Sequence, residues 1–249
     1  MLAPAAFAVI GVTVLVSSFV SGLFGMAGGM ILLGVLLVFM DVVPAMVLFG
    51  IIQMVSNGWR ATLWWRYVDW GIVWRFLVGS TLVFLLMRSV ALLPSKATLY
   101  FTLGLLPFAA DLLPKRVSLD ITRPGVPYFA GCLIIVLQLM AGAAGHILDV
   151  FFQKSRLDRK TIVATKAVTQ VMGHVYRIIY FGSFAATFDA SIPGWAYGAA
   201  VALTVAGTSL AALVLTRMTD DGFRAWSRRV TIGVSVTYIA RGLWLVAVP

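Results

Sequence analysis

Apolar runs of about 20 residues recur along the whole chain, separated by short polar or glycine-rich stretches. A helix needs this length to cross about 30 Å of hydrocarbon with every backbone group bonded internally. The pattern predicts an all-α polytopic membrane protein, a single transmembrane domain over residues 1–249 with about 8 to 10 membrane segments. We expect the segments at residues 4–24, 28–40, 44–64, 70–92, 97–113, 127–144, 145–153, 161–186, 195–216 and 229–248.

Two of these runs, 28–40 and 145–153, are too short to cross a bilayer perpendicular to its plane. Each follows a glycine-rich break, GMAGG at 25–29 and GAAG at 142–145. Such a pattern favours broken or re-entrant helical hairpins. The residues that we assign to the two breaks are Gly25, Gly28, Gly29, Gly142, Gly145 and His146.

Helices that restart after Gly28 and Gly145 would direct N–H donors and positive dipole ends towards an anion. The alternative is that these glycines let helices pack closely through small residues. Asp149 and His146 lie one turn apart in the second short run, where they would form a protonation site.

An internal repeat is visible when the sequence is shifted against itself by 117 residues. The shift aligns Gly25 with Gly142, Gly28 with Gly145, Gln53 with Gln170 and Arg60 with Arg177, and a later shift of 128 aligns Gly79 with Gly207. We therefore expect a first repeat over 4–113 and a second over 127–248. Each repeat would consist of a hairpin, whose two ends lie on the same side of the membrane, and three further crossings. Because the number of crossings is odd, the second repeat would start on the opposite side and be inverted, as in many secondary transporters.

Both repeats carry the pattern Gln-x6-Arg with a further polar residue at the fifth position. This spacing places the three side chains on one face of a helix. An arginine in a membrane span costs roughly 2.5 to 3.5 kcal/mol and normally faces a cavity, a partner or a substrate. Because guanidinium donors suit oxyanions, the pattern predicts one anion site built from both repeats. Its expected substrate-binding residues are Gln53, Asn57, Arg60, Gln170, His174 and Arg177, with Lys166 one turn before Gln170.

Other roles stay open for several of these side chains. Arg60 lies near the end of its span, from which it would also reach the membrane interface, as would Lys166. The two glutamines would also serve as hydrogen bonds between helices. Arg177 lies deeper in its span, and we expect it to line the site. We expect His174 and His146 to be hydrogen-bonded packing residues rather than proton relays.

The net charge of +10, from 19 Lys and Arg against 9 acids, has two candidate sources: basic cytoplasmic loops and an anion site. Loops 114–124, 153–160 and 217–229 are basic, whereas 187–194 has no basic residue. The first three should be cytoplasmic and the last external, which places both termini outside the cytoplasm. Lys96 falls in a loop that this scheme places outside.

Composition narrows the function classes. The chain is 61% hydrophobic and 11% charged, so no sizeable soluble domain is present for an enzyme or a nucleic-acid partner. A single cysteine, Cys132, excludes a disulfide framework and a thiolate metal cluster, and we expect neither a cofactor nor a metal. The first 22 residues lack the basic region of a cleavable signal peptide and are read as a membrane segment.

The segments GLFGMAGGMILL (22–33) and, most specifically, ATKAVTQVMGHVYRIIYFG (164–182) resemble the TauE/SafE sulfite exporter family of membrane permeases, also called TSUP. The resemblance covers essentially the whole chain, including its division into two halves. It implies export of sulfite, organosulfonates or related sulfur-containing and carboxylate anions from the cytoplasm.

The expected function is a secondary transporter of small anions in the inner membrane of the cell, working by alternating access. With the inside negative, each unit of negative charge expelled gains about 2.3 kcal/mol per 100 mV, so no coupling ion is required. The alternative is an anion channel of the same architecture. The expected partners are the anion and the lipid bilayer, and a homo-oligomer stays open.

Overall fold

The computed structural model describes residues 4–24, 26–111, 119–153, 155–184, 193–215 and 220–247. Over these residues the chain forms ten α-helices and one 3-10 turn at Trp65–Tyr67, with no strand, which confirms the all-helical prediction. The helices are α1 Pro4–Phe24, α2 Met26–Phe39, α3 Val42–Leu63, α4 Trp70–Val90, α5 Lys96–Asp111, α6 Val126–Met140, α7 Gly145–Gln153, α8 Arg159–Gly182, α9 Gly194–Leu215 and α10 Asp220–Ala247.

Aspartates mark the starts of the helices that follow polar loops. The Asp69 carboxylate accepts a hydrogen bond from the Ile72 N–H at 3.0 Å, and Asp158 accepts from the N–H groups of Lys160 and Thr161 at 2.9 and 3.1 Å. These are N-cap bonds, which satisfy donors that have no partner inside the helix. The hydroxyl and N–H of Thr161 hold the pKa of Asp158 below its usual value.

The helix bounds differ from the predicted segments by four residues or more in three places: the start of the last helix, the end of α6, and the end of α8 at Gly182 instead of 186. The last helix begins at Asp220 instead of 229. An acidic pair at residues 220–221 suits a helix N-terminus, where negative charge is stabilised. Hydropathy detects only the apolar part of a helix and therefore missed these first polar turns. Helix α6 ends at Met140 instead of 144, because Gly142 adopts a left-handed backbone with φ of +80°.

Five of the described helices are long and apolar enough to cross a membrane. Helix α8 has 24 residues but is not one of them, because it carries basic and polar side chains along its length. Helices α2 and α6 are apolar and shorter. The five long apolar segments are Ala5–Leu23, Val42–Leu63, Trp70–Val90, Gly194–Val214 and Arg228–Ala247.

The helices pair across the two halves of the chain. Helix α1 packs on α9, α6 packs on α4, α3 packs on α8, and α5 packs on α10. If each helix from α1 to α5 is matched in order with one from α6 to α10, the contact of α1 with α9 corresponds to that of α6 with α4. The contacts of α3 with α8 and of α5 with α10 each correspond to themselves. A Cβ at Gly79 would meet the backbone of α6 at Tyr128, and one at Gly207 would meet the backbone of α1 at Leu15. The two aligned glycines therefore serve equivalent close contacts.

Loop contacts define two ends of the helix bundle. At one end, Lys160 contacts the Tyr67 hydroxyl at 3.4 Å, and the Ile121 N–H donates to the Phe151 carbonyl at 3.0 Å. We call this the basic end, formed by residues 65–69, 119–125 and 155–160, with Arg66, Arg123, Arg156, Arg159 and Lys160.

At the opposite end, formed by Asp41 and residues 91–96, Lys96 forms an ion pair with Asp41 at 3.4 Å. The Tyr180 hydroxyl donates to the Leu92 carbonyl at 2.6 Å. The described parts of the two basic loops, 114–124 and 153–160, thus lie at one end, and the loops that contain Asp41 and Lys96 lie at the other. The predicted topology places them in the same two groups.

Candidate functional site

A narrow polar cavity, partly open to solvent, lies between α1, α3, α6, α7 and α8. Both halves of the chain contribute polar side chains to this central cavity, whereas the rest of the wall is apolar or glycine. The lining residues are Ser21, Phe49, Gln53, Asn57 and Arg60 from the first half, and Ile134, Gln138, Ala143, Ala144, Gly145, Leu148, Gln170 and His174 from the second.

A second narrow space, which we call the vestibule, adjoins the central cavity and shares Arg60, Gly145 and Gln170 with it. The rest of its wall is formed by Asp149, Val163, Lys166 and Ala167. Because Val163 lies in the first turns of α8, which starts at the basic end, the vestibule is on that side of the central cavity.

Towards the opposite end, the central cavity meets tightly packed apolar side chains. Phe49 lines the cavity and is 1% exposed, and Met46, Tyr180 and Phe181 beyond it are fully buried. All four belong to one apolar cluster that also contains leucines of α2 and α5. The packing closes the cavity on this side.

The structure brings together most of the residues that the repeated pattern singles out. Gln53, Asn57, Arg60, Gln170 and His174 line the central cavity. Lys166 lines the vestibule, and Arg177 lines neither space.

Arg60 faces both spaces from the last turn of α3. Its Nη2 lies 3.5 Å from the Ser21 carbonyl oxygen, at the limit of hydrogen-bonding distance, and its buried Nε has no protein partner. Guanidinium groups offer five N–H donors and no acceptor, so most of this group is available to a ligand. The alternative of an Arg60 extended to the membrane interface does not fit this placement.

Arg177 is fully buried behind the cavity wall, and both of its terminal nitrogens bind protein groups, whereas its Nε, like that of Arg60, has no protein partner. Nη2 donates to the Gln138 carbonyl at 2.7 Å and to the Gly142 carbonyl, and the guanidinium lies 4.8 Å from the centre of the Phe49 ring. Carbonyls at the end of a helix have no partner within the helix. Arg177 therefore stabilises the break after α6. Its depth in the span predicts that it lines the site, but it lines neither space.

His174 joins Arg177 to the cavity. Its Nδ1 is 3.0 Å from Nη1 of Arg177, and because a guanidinium can only donate, Nδ1 accepts this bond. The imidazole proton then resides on Nε2, and the ring lines the central cavity edge-on to Phe49. His174 is thus a hydrogen-bonded packing residue, as expected, that retains one donor.

Two glycines make room for glutamine side chains in the wall. A Cβ at Gly29 would lie 2.5 Å from Nε2 of Gln53, and one at Gly173 would collide with the amide of Gln138. Asn57 donates from Nδ2 to the Gln53 carbonyl at 2.8 Å, which fixes its orientation within α3.

The two glycine-rich breaks differ in structure. A Cβ at Gly28 would strike the backbone of α1 at Ser17 and Ser21, so this glycine serves close helix packing, the alternative role. Gly25 lies outside the described residues.

At the second break, Gly142 turns the chain, and Gly145 begins α7 at the wall of both spaces. The positive end of the α7 dipole therefore opens onto the site. His146, the next residue, is half-buried and does not line either space.

An ion pair between Lys166 and Asp149 crosses the vestibule from α8 to α7. Side-chain exposures of 24% and 36% leave both groups accessible to water. Asp149, which the sequence places one turn from His146 as a protonation site, thus pairs with a cation on α8.

Sequence reasoning missed two polar lining residues of the central cavity, Ser21 and Gln138, and the apolar ones, which are Phe49, Ile134, Ala143, Ala144 and Leu148. The same shift of 117 that pairs Gln53 with Gln170 also pairs Ser21 with Gln138, and this signal would have found the two polar residues. Across the described part of the chain, no group of three or more His, Cys, Asp or Glu side chains is arranged to hold a metal ion.

Comparison with known proteins gives one family. Residues 9–238 match the profile of the family described as sulfite exporter TauE/SafE, which confirms the resemblance noted in the sequence. No curated protein matches the chain, and no solved structure does. The match covers nearly the whole chain, and with the long apolar helices it identifies a multi-pass membrane protein.

Proposed function

Because the chain belongs to the sulfite exporter TauE/SafE family, we propose that it is a secondary transporter that exports sulfite, organosulfonates or related small sulfur-containing anions from the cytoplasm by alternating access. The observation that carries the proposal is the central cavity, where polar side chains of both halves converge inside an otherwise apolar helical bundle. Polar groups inside a membrane domain are costly and mark substrate paths.

Arg60 is the proposed anion-binding cation. Its unpartnered Nε and weakly held Nη2 leave N–H groups free to bind two oxygens of one sulfite or sulfonate group. Nε2 of His174, the amides of Gln53 and Gln170, and the N-terminus of α7 add neutral donors around it. Lys166 and the vestibule would guide anions into the cavity.

In the proposed cycle, the central cavity opens alternately to each side of the membrane. The vestibule leads towards the basic end, and packing around Phe49 closes the other side. If the basic end is cytoplasmic, as the positive-inside rule predicts, this is an inward-facing arrangement. Equivalent pairing of the helices in the two halves supports a pair of inverted repeats that rock against each other.

An anion channel is the second candidate, and flux measurements distinguish it from a carrier. A carrier in proteoliposomes gives saturable sulfite flux and counterflow: unlabelled anion inside drives transient accumulation of labelled anion. A channel gives discrete single-channel currents without counterflow. The closed packing at Phe49 favours the carrier, since it interrupts a continuous pore.

The test of the proposal is counterflow of labelled sulfite in proteoliposomes that contain the wild-type chain or Arg60→Gln. We expect saturable counterflow with wild type and at least a tenfold loss with Arg60→Gln, since one charged bond to an anion contributes about 1.5 to 3 kcal/mol. The matched control is Arg66→Gln, an exposed arginine at the same end of the bundle. Equal loss in both variants, or none in Arg60→Gln, would refute the role of Arg60.

The proposed topology places the basic end in the cytoplasm and both termini outside. Single cysteines introduced at Ser95 and Arg156, in a chain whose Cys132 is replaced by alanine, test the two ends. Membrane-impermeant reagents applied from outside right-side-out vesicles should label position 95 and spare position 156. The reverse pattern would reject this orientation, and labelling of both positions would reject the assignment of the two ends to opposite faces.

A further inference from the structure

Charges around the central cavity and the vestibule do not cancel. Arg60 and Lys166 each contribute a positive charge, and Asp149 is the one acidic residue among the described residues that line either space. Among the residues that line the two spaces, one positive charge is therefore in excess, and Arg177 adds a further charge behind the wall, 4.8 Å from the centre of the Phe49 ring.

Asp149 lies where it can control that excess. It follows Gly145 by one helical turn on α7, and its partner Lys166 precedes Gln170 by one turn on α8. The ion pair thus adjoins the three residues that the two spaces share: Arg60, Gly145 and Gln170.

We propose that Asp149 is a specificity-determining residue that makes the site select monovalent over divalent anions, by cancelling the charge of Lys166 beside Arg60. This inference rests on the proposed function of the same site. The Asp149 carboxylate repels a dianion about twice as strongly as a monoanion at the same distance, whereas the charge of Arg177 is the same in every variant. Uncompensated charge is costly where the surroundings are less polarisable than water.

Methanesulfonate and methanedisulfonate are suitable probes, since they carry the same head group and fixed charges of one and two. Binding of each to the purified wild-type chain is measured by calorimetric titration, and inhibition of sulfite counterflow by each is measured in proteoliposomes. Wild type should bind the monoanion more tightly. In Asp149→Asn, the affinity ratio should move towards the dianion by about tenfold or more, the effect of one unit charge at ion-pair range.

Charge restoration provides the second variant. Lys166→Gln leaves no excess charge among the lining residues and should weaken binding of both probes, and Asp149→Asn combined with Lys166→Gln should return the ratio to that of wild type. If Asp149→Asn does not fold, the comparison of Lys166→Gln with the double variant still tests the inference, because it removes the same carboxylate.

The matched control is Asp158→Asn, the same change at an exposed carboxylate that caps α8 away from both spaces. Asparagine also caps helices well, so this variant should keep the wild-type ratio. If the wild type binds both probes and the ratio of the two affinities does not change when Asp149 is removed, the role of Asp149 in selecting monovalent anions is refuted, and the proposed function is not. A wild type that binds and transports neither probe nor sulfite would overturn the proposed function and the inference together.

Discussion

The two arginines of the repeated pattern make the same kind of bond with very different strength. Arg177 donates to the Gln138 carbonyl at 2.7 Å, and Arg60 approaches the carbonyl of Ser21, the residue aligned with Gln138, at 3.5 Å. Arg177 is fully buried, whereas Arg60 lines both the central cavity and the vestibule.

The difference follows from the two breaks. In the second half, residues 141–144 separate α6 from α7, and the guanidinium of Arg177 binds the buried carbonyls of Gly142 in this break and of Gln138 in the last turn of α6. In the first half, α1 ends at Phe24 and α2 begins at Met26. The second repeat therefore uses its arginine to hold a helix break, and in the first repeat the arginine faces the two polar spaces.

The largest expected effect on stability is that of Arg177→Ala. The change removes three hydrogen bonds and leaves the carbonyls of Gln138 and Gly142 buried, so we expect a loss of about 3 kcal/mol or more in the free energy of unfolding. Thermal unfolding in detergent measures it, with Arg60→Gln as the comparison. Equal unfolding midpoints in the two variants would remove the distinction between the arginines.

A smaller loss, of about 2 kcal/mol, is expected for Gly28→Ala, because the added methyl group would push apart the backbones of α1 and α2. Gly58→Ala in α3 is the control, since a Cβ there meets nothing within 4 Å. Unfolding midpoints of the two variants should differ clearly. Equal midpoints would contradict close packing at the first break.

The smallest effects should come from Gln53→Ala and Gln170→Ala. If the aligned amides contribute equally to one site, each variant should raise the KM for sulfite counterflow by about fivefold, as expected for loss of about 1 kcal/mol of hydrogen bonding, with folding unchanged. A change in only one of the two would show that a single repeat supplies the amide contacts.

Much of the fold could be predicted from the sequence, because apolar runs and glycine breaks act locally on helix length and ending. The starts of α7 and α8 follow closely from Gly145 and Asp158. The start of α10 could not be predicted from hydropathy, since its first turns are polar.

For the site, periodicity correctly grouped Gln53 and Asn57 with Arg60 on one helical face. It could not distinguish Arg60 from Arg177, because backbone carbonyls at a helix break leave no mark on the side-chain pattern. The pair of Asp149 with Lys166 joins different helices and likewise depends on packing.

The central claim is that Arg60, and not Arg177, binds the transported anion. Sulfite binding to Arg60→Gln, measured by calorimetric titration beside wild type and Arg66→Gln, tests it most directly. We predict that Arg60→Gln unfolds at the wild-type temperature and loses at least tenfold in affinity, whereas Arg66→Gln binds as wild type does. A folded Arg60→Gln variant with wild-type affinity for sulfite would contradict the account.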